Sequence, residues 1–287
     1  MRKKIIVLAV VAATMGLGVT MGMAPVSGAA SGKATPVTLH NWKNTLRQNT
    51  TGWCSTPGDA PCDGTGYGTI DIVKSSFSNG GGYGASVPGP GGTTKYARVS
   101  GGGTLTTTAG CPTPGGENCT GPYTNWNQIP HPTVFPFKTA TKNGYQTSVK
   151  IYIDAAWAGA NPGQVVDWDT AVSDNNGGFY RDFVFNMCSS TDGGGGFYIS
   201  TSNNAGGCST GPTEITTSGW YTFNEHFTSV AGTLVAGFTV LDSSNATVLN
   251  VVQNTGTSIS AVGGPRYGWL PDEDVLGLPV SQVSVHL

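Results

Sequence analysis

The sequence predicts an all-β fold, a sandwich of antiparallel sheets with little helix. Three observations carry that expectation. Of 287 residues, 44 are Gly and 17 are Pro, a supply of turn-forming residues that suits many short strands. Only 10% of residues are charged, against roughly 25% in an average soluble domain, which excludes coiled coils and charged disordered tails. Apolar residues alternate with polar ones in short runs, and no stretch sustains a 3.6-residue period. The Gly residues have no three-residue period, so a collagen helix is excluded. With 38% apolar residues, the chain can fill a core.

The leader comes first. Arg2, Lys3 and Lys4 precede an uncharged apolar run, and Gly28-Ala29-Ala30 supplies small residues for cleavage. Residues 1–30 therefore read as a secretory signal peptide; the competing reading, an uncleaved anchor, is disfavoured by that small-residue motif. No later segment reaches membrane-spanning length. Residues 31–287 read as a single β-sandwich domain, secreted and extracellular, with a loop-rich portion over 31–135. Loss of the three basic leader residues takes the formal charge from −2 to −5. There is no basic run, so nucleic acid is not an expected partner.

Six cysteines, Cys54, Cys62, Cys111, Cys119, Cys188 and Cys208, agree with an oxidising compartment. Proximity favours Cys54–Cys62, Cys111–Cys119 and Cys188–Cys208, although six cysteines allow many pairings. No CxxC pair exists, which argues against thiolate zinc.

Strand candidates in the loop-rich portion are short: residues 68–73, 96–100 and 104–108. Regular strands are expected at 146–154, 179–187, 196–201, 219–227, 233–241, 247–253 and 280–287, each bounded by Gly, Asn, Asp, Ser or Pro. Their alternation assigns faces. Val149, Ile151 and Ile153 share one face, and Lys150, Tyr152 and Asp154 the other. Phe183, Phe185 and Met187 lie opposite Tyr180, Asp182, Val184 and Asn186. Tyr221, Phe223 and Phe227 face the core with Glu225 among them, and Trp220, Thr222, Asn224 and His226 face away. Aromatic rings beside amides and carboxylates suit a sugar, since rings stack on C–H faces while polar groups take hydroxyls.

The runs Tyr180-Arg181-Asp182-Phe183-Val184-Phe185, Gly219-Trp220-Tyr221-Thr222-Phe223 and Val262-Gly263-Gly264-Pro265-Arg266-Tyr267-Gly268-Trp269 resemble secreted bacterial domains similar to the concanavalin-A-like lectin/glucanase superfamily. The resemblance covers roughly residues 145–287. It implies a jelly-roll β-sandwich of two antiparallel sheets that binds or cleaves carbohydrate on its concave sheet.

On this reading the ligand surface holds Lys150, Asp154, Tyr180, Asn186 and Asn224, with Trp126 or Trp168 at its rim. If the protein is an enzyme, a glycoside hydrolase or polysaccharide lyase, His226, Glu225, Asp182 and Tyr152 are its candidate catalytic groups. No E-x-D-x-x-E run or nucleophile elbow is present. Glu225 reads either as a structural carboxylate among apolar neighbours or as an acid whose pKa that setting raises. No cofactor is required. A structural Ca2+ would find its oxygens at Asp167, Asp169 and Asp174, although Asp and Asn also simply make turns. Carbohydrate binding is the leading expectation, with a polysaccharide-degrading enzyme and a structural or adhesive surface protein as alternatives. Oligomeric state is not legible.

Overall fold

The turn chemistry that the sequence advertises builds a double-layered β structure. The computed structural model describes residues 37–41, 53–54, 69–78, 82–92, 95–101, 121–124, 144–192, 194–204, 211, 213–270 and 274–286, all within one compact unit, Gly32–Leu287. In chain order the strands are β1 (Val37–Asn41), β2 (Trp53–Cys54), β3 (Thr69–Lys74), β4 (Lys95–Ser100), β5 (Tyr123–Thr124) and β6 (Tyr145–Ile153). A short helix, α1 (Ala155–Ala160), leads to β7 (Val165–Asp174), β8 (Phe179–Ser189), β9 (Phe197–Asn203) and β10 (Thr213–Ile215). The chain ends with β11 (Gly219–Val230), β12 (Thr233–Leu241), β13 (Thr247–Ser258), β14 (Val262–Trp269) and β15 (Leu278–His286).

The first sheet runs β13-β12-β11-β6-β15-β4-β3, with β1 also paired to β15; the second runs β10-β9-β8-β7-β14-β5-β2. Neighbours pair antiparallel, as in β11 with β6 and β7 with β8. The expected all-β sandwich of two antiparallel sheets is therefore the fold. Among the described strands the chain changes sheet between β1 and β2, β2 and β3, β4 and β5, β5 and β6, β6 and β7, β10 and β11, β13 and β14, and β14 and β15.

Local chemistry explains the boundaries. Ala231 and Gly232 both take positive φ, 50° and 78°, which matches the right-handed twist of the β11–β12 hairpin. The turn after β7 is closed by Asp174, whose Oδ1 accepts from the backbone N–H of Asn176 and of Gly178, both at 2.8 Å. Asp242 does the same after β12, accepting from Ser244 N–H at 2.8 Å and Ala246 N–H at 2.9 Å. These are Asx turns, in which a short carboxylate replaces a missing backbone partner.

The alternation read from the sequence is the alternation of the fold. Phe183, Phe185 and Met187 from the second sheet meet Tyr221, Phe223 and Phe227 from the first, all buried. Phe185 lies edge-on to Phe223 at 5.2 Å and to Phe238 at 5.1 Å, and Phe183 edge-on to Phe227 at 5.0 Å. Such pairs add about 0.5–1.5 kcal/mol to their burial.

Six strands were not expected from the sequence: the short β1, β2, β5 and β10, and the longer β7 and β14. β7 carries Asp167, Asp169 and Asp174, and Asp is depleted in strands, so the segment read as an oxygen-rich loop. β14 carries Gly263, Gly264 and Pro265, residues that ordinarily end strands. The tight fit at Gly263 explains one of them: a Cβ there would sit 2.2 Å from the Asp174 carbonyl oxygen. The candidate strand at 104–108 lies outside the described residues.

Candidate functional site: the outer face of the second sheet

The expected surface residues separate into three layers. Lys150, Tyr152, Asn224 and His226 lie on the outer face of the first sheet, with Asn224 opposite Ser148 and His226 opposite Gln146. Asp182 and Asn186 lie on the outer face of the second sheet, beside Asp167 and Asp169. Glu225 and Trp168 point into the space between the sheets, 0% and 1% exposed. Packed sheets stand about 10 Å apart, so the four catalytic candidates His226, Glu225, Asp182 and Tyr152 do not converge on one substrate. Alternation within each strand was legible, but which strands share a sheet was not.

Several residues expected at a ligand have other work. Trp168 is a core residue, not a rim residue, because β7 is a strand and places it inward. Asp154 caps α1: Oδ1 accepts from Trp157 N–H at 3.1 Å, and Oδ2 accepts from Gly84 N–H at 3.0 Å. The hydroxyl of Tyr180 is tied to Thr257 of β13 at 2.9 Å, joining the two sheets. Tyr152 packs edge-on to Trp220 at 5.5 Å, under Val87. The Trp220 Nε1–H donates to the Pro88 carbonyl at 2.7 Å, fixing the segment that covers this end of the sheet. Trp126 lies outside the described residues.

The proposed calcium ligands do not meet. Asp167 and Asp169 share the outer face of β7, but Asp174 stands five residues beyond Asp169, roughly 16 Å along an extended strand. Its carboxylate is occupied by its own turn. Among the described residues no group of three or more metal-ligating side chains forms. No cysteine among them is free. Cys62, Cys111, Cys119 and Cys208 lie outside the described residues, as does the leader.

What the fold assembles on the second sheet is a compact polar and aromatic face. Across β14, β7, β8 and β9 the register sets Trp269 opposite Asp169, Tyr267 opposite Ala171, Asp182 opposite Ala171, and Asn186 opposite both Asp167 and Ser200. Residues directly opposite share a face. Tyr267, Trp269, Asp169, Asp182 and Asn186 thus look to one side. Tyr267 and Trp269 are half-buried, their ring centroids 6.3 Å apart in an edge-to-face arrangement. The Trp269 Nε1–H donates to the Gly121 carbonyl at 3.2 Å, which holds the indole. Asn186 is buried; its Oδ1 accepts from Ser202 Oγ at 2.8 Å, and its Nδ2 meets no acceptor among the described residues.

The carboxyl groups of Asp169 and Asp182 adjoin, and each shifts the titration of the other. Two carboxyls sharing a site do not readily both ionise. Burial raises the pKa of Asp169 well above its ordinary value, and the charges of Asp182, Glu225 and Asp167 raise it further. Burial also raises Asp182, but Asp169, the Arg266 guanidinium and a hydrogen bond from Tyr267 counteract that. Of the two, Asp169 holds its proton the more tightly and Asp182 is the more readily ionised, with the Arg266 guanidinium and two aromatic rings beside it.

No family model matches the chain. No curated protein sequence matches it either. Among solved structures it is similar to the CBM2 module of Lactobacillus casei BL23 phage J-1 evolved Dit, at 11% identity over 88% of this chain and 96% of that one, with a TM-score of 0.39. It is also similar to basic winged bean lectin, solved with Tn-antigen, at 8% identity over 75% and 91%, with a TM-score of 0.38. At these values the likeness carries no functional argument. Among the described residues no helix is long and apolar enough to cross a membrane.

The sequence reading missed Tyr267, Trp269 and Arg266 as site residues, although the signal was present. Tyr267 and Trp269 are two residues apart, the period of one strand face.

Proposed function

We propose that this is an exported carbohydrate-binding protein whose ligand surface is the outer face of the second sheet. The observation that carries the reading is the Tyr267–Trp269 pair standing on the same face as Asp182 and Asn186. Aromatic rings offer an apolar platform to the C–H face of a pyranose. The Asp182 carboxylate accepts sugar hydroxyls, in hydrogen bonds roughly twice as strong as those between neutral groups. The reading is further supported by the superfamily resemblance over residues 145–287, and export is supported by the leader.

The test is affinity electrophoresis of the purified protein through gels containing plant, algal and bacterial cell-wall polysaccharides. Reducing ends and unsaturated uronates are assayed in parallel. Retardation by at least one glycan, lost in Trp269→Ala and Asp182→Asn, is the expected result. New reducing ends or uronate absorbance would replace the binding reading with an enzymatic one. No interaction with any glycan would leave a structural or adhesive role.

A further inference from the structure

Sheet edges are where β proteins protect themselves from pairing with other chains, usually by charge, proline or shortness. Three of the four strands that end the two sheet paths are protected in these ways. β3 carries Asp71 and Lys74, β10 is three residues long and carries Glu214, and β2 is two residues long. The fourth, β13, is not. It is twelve residues long, Thr247-Val-Leu-Asn-Val-Val-Gln-Asn-Thr-Gly-Thr-Ser258, with no charge and no proline. β12 takes one of its edges, and among the described residues no strand takes the other.

The side chains along this edge show what fits it. From Leu249 to Asn254 the register with β12 is unbroken. Inward, the Gln253 Nε2–H donates to Thr201 Oγ1 of the second sheet at 3.0 Å, anchoring the strand. Outward stand Asn250, Val252 and Asn254, all exposed, with Val252 at 62%. This outward row is a palindrome about Val252.

We propose that β13 pairs antiparallel with β13 of a second copy of this chain, about a two-fold axis through Val252. A two-fold axis normal to the sheet keeps inner faces with inner and outer with outer, so opposed residues have the same parity. Val252 then meets Val252 of the second copy, and Asn250 meets Asn254 on either side. Amide pairs exchange hydrogen bonds while the exposed valines bury each other. A neutral strand meets its copy without like-charge repulsion, even in a chain of net negative charge.

The result is one sheet continued through both copies and a closed, isologous dimer. A single strand-edge contact lies near or below the about 1,200 Å² at which specific interfaces begin, so the dimer is reversible. If the glycan reading holds, the dimer presents two ligand faces and gains avidity on a repeating polymer. The pairing itself does not depend on that reading.

Sedimentation velocity over a concentration series tests it, with no glycan present. The purified protein is expected to move reversibly from monomer to dimer. Val252→Lys and Val252→Asp, substitutions at an exposed site, are each expected to stay monomeric with unchanged circular dichroism and melting temperature. An equimolar mixture of the two is expected to form a heterodimer, because Lys then opposes Asp across the axis. A wild-type chain that is monomeric at every concentration overturns the proposal. So do a Val252→Lys variant that dimerises as the wild type does, a mixture that stays monomeric, and open-ended aggregates in place of a dimer.

Discussion

Thr147 of the first sheet and Thr170 of the second meet across the interior, their hydroxyl oxygens 2.9 Å apart. Thr147 also donates to Glu225 Oε2 at 3.0 Å, and Thr170 hydrogen-bonds the same carboxyl. A polar bridge thus joins two otherwise apolar faces. Burial pushes the Glu225 pKa up to about 8 despite these two hydrogen bonds, so near neutral pH the residue is chiefly the uncharged acid.

That protonation state makes Glu225→Gln nearly silent near pH 6, since the amide keeps both the shape and an acceptor oxygen. Glu225→Ala is expected to cost about 2–4 kcal/mol, because it leaves a cavity and strands buried hydroxyls. Urea denaturation of the two variants checks this. Equal destabilisation would show that Glu225 does not bridge the sheets as a neutral acid.

Stability should fall as the solution becomes alkaline. Asp169 and Glu225 both have folded-state pKa values raised above their ordinary values. For Glu225, over the window from about pH 4 to about pH 8, the native state therefore holds a proton that the unfolded chain has released, and Asp169 acts in the same sense. Their stabilising contribution is complete below the unfolded values and is lost as pH rises through the folded ones. For Glu225 alone the loss is at most about 5 kcal/mol. Asp192 and Asp242, lowered chiefly by side-chain hydrogen bonds from Ser190 and Ser244, act in the opposite sense at lower pH. Melting temperatures measured from pH 4 to pH 9 should decline, and less steeply in Glu225→Gln. A rising profile would overturn the assignment.

Asp154→Ala separates fold from ligand. It removes the N-cap of α1 and the acceptor of the Gly84 N–H, at about 0.5–2 kcal/mol for the cap. The melting temperature should drop while glycan retardation of the folded protein is unchanged. Loss of binding at full stability would return Asp154 to the ligand surface.

Phe185→Ala tests the packing between sheets. Its ring meets Phe223 and Phe238 from the opposite layer, and its removal is expected to cost about 3–5 kcal/mol. A loss below about 1 kcal/mol in chemical denaturation, the scale of an ordinary surface change, would contradict a close-packed interior.

Much of the fold was legible because alternation is local. Two-residue periodicity placed Phe183, Phe185, Phe223 and Phe227 inside and put Glu225 among them, and the neighbours of each follow from strand geometry alone. β7 and β14 were not legible, because acidic residues in one and glycine and proline in the other oppose strand propensity. Their pairing in the middle of the second sheet overrides that local cost.

The site was less legible for a different reason. Residue order alone shows that some strands carry a core face and a polar face, and that Asp182, Asn186, Asn224 and His226 point away from the core. The first two belong to one sheet and the last two to the other, on opposite sides of the molecule, and that division arises only on folding. Strand pairing is a long-range choice set by turns, crossovers and the burial of both inner faces together. The same choice brought Asp169 against Asp182 and set Tyr267 and Trp269 beside them, although about a hundred residues of chain separate the first of these from the last.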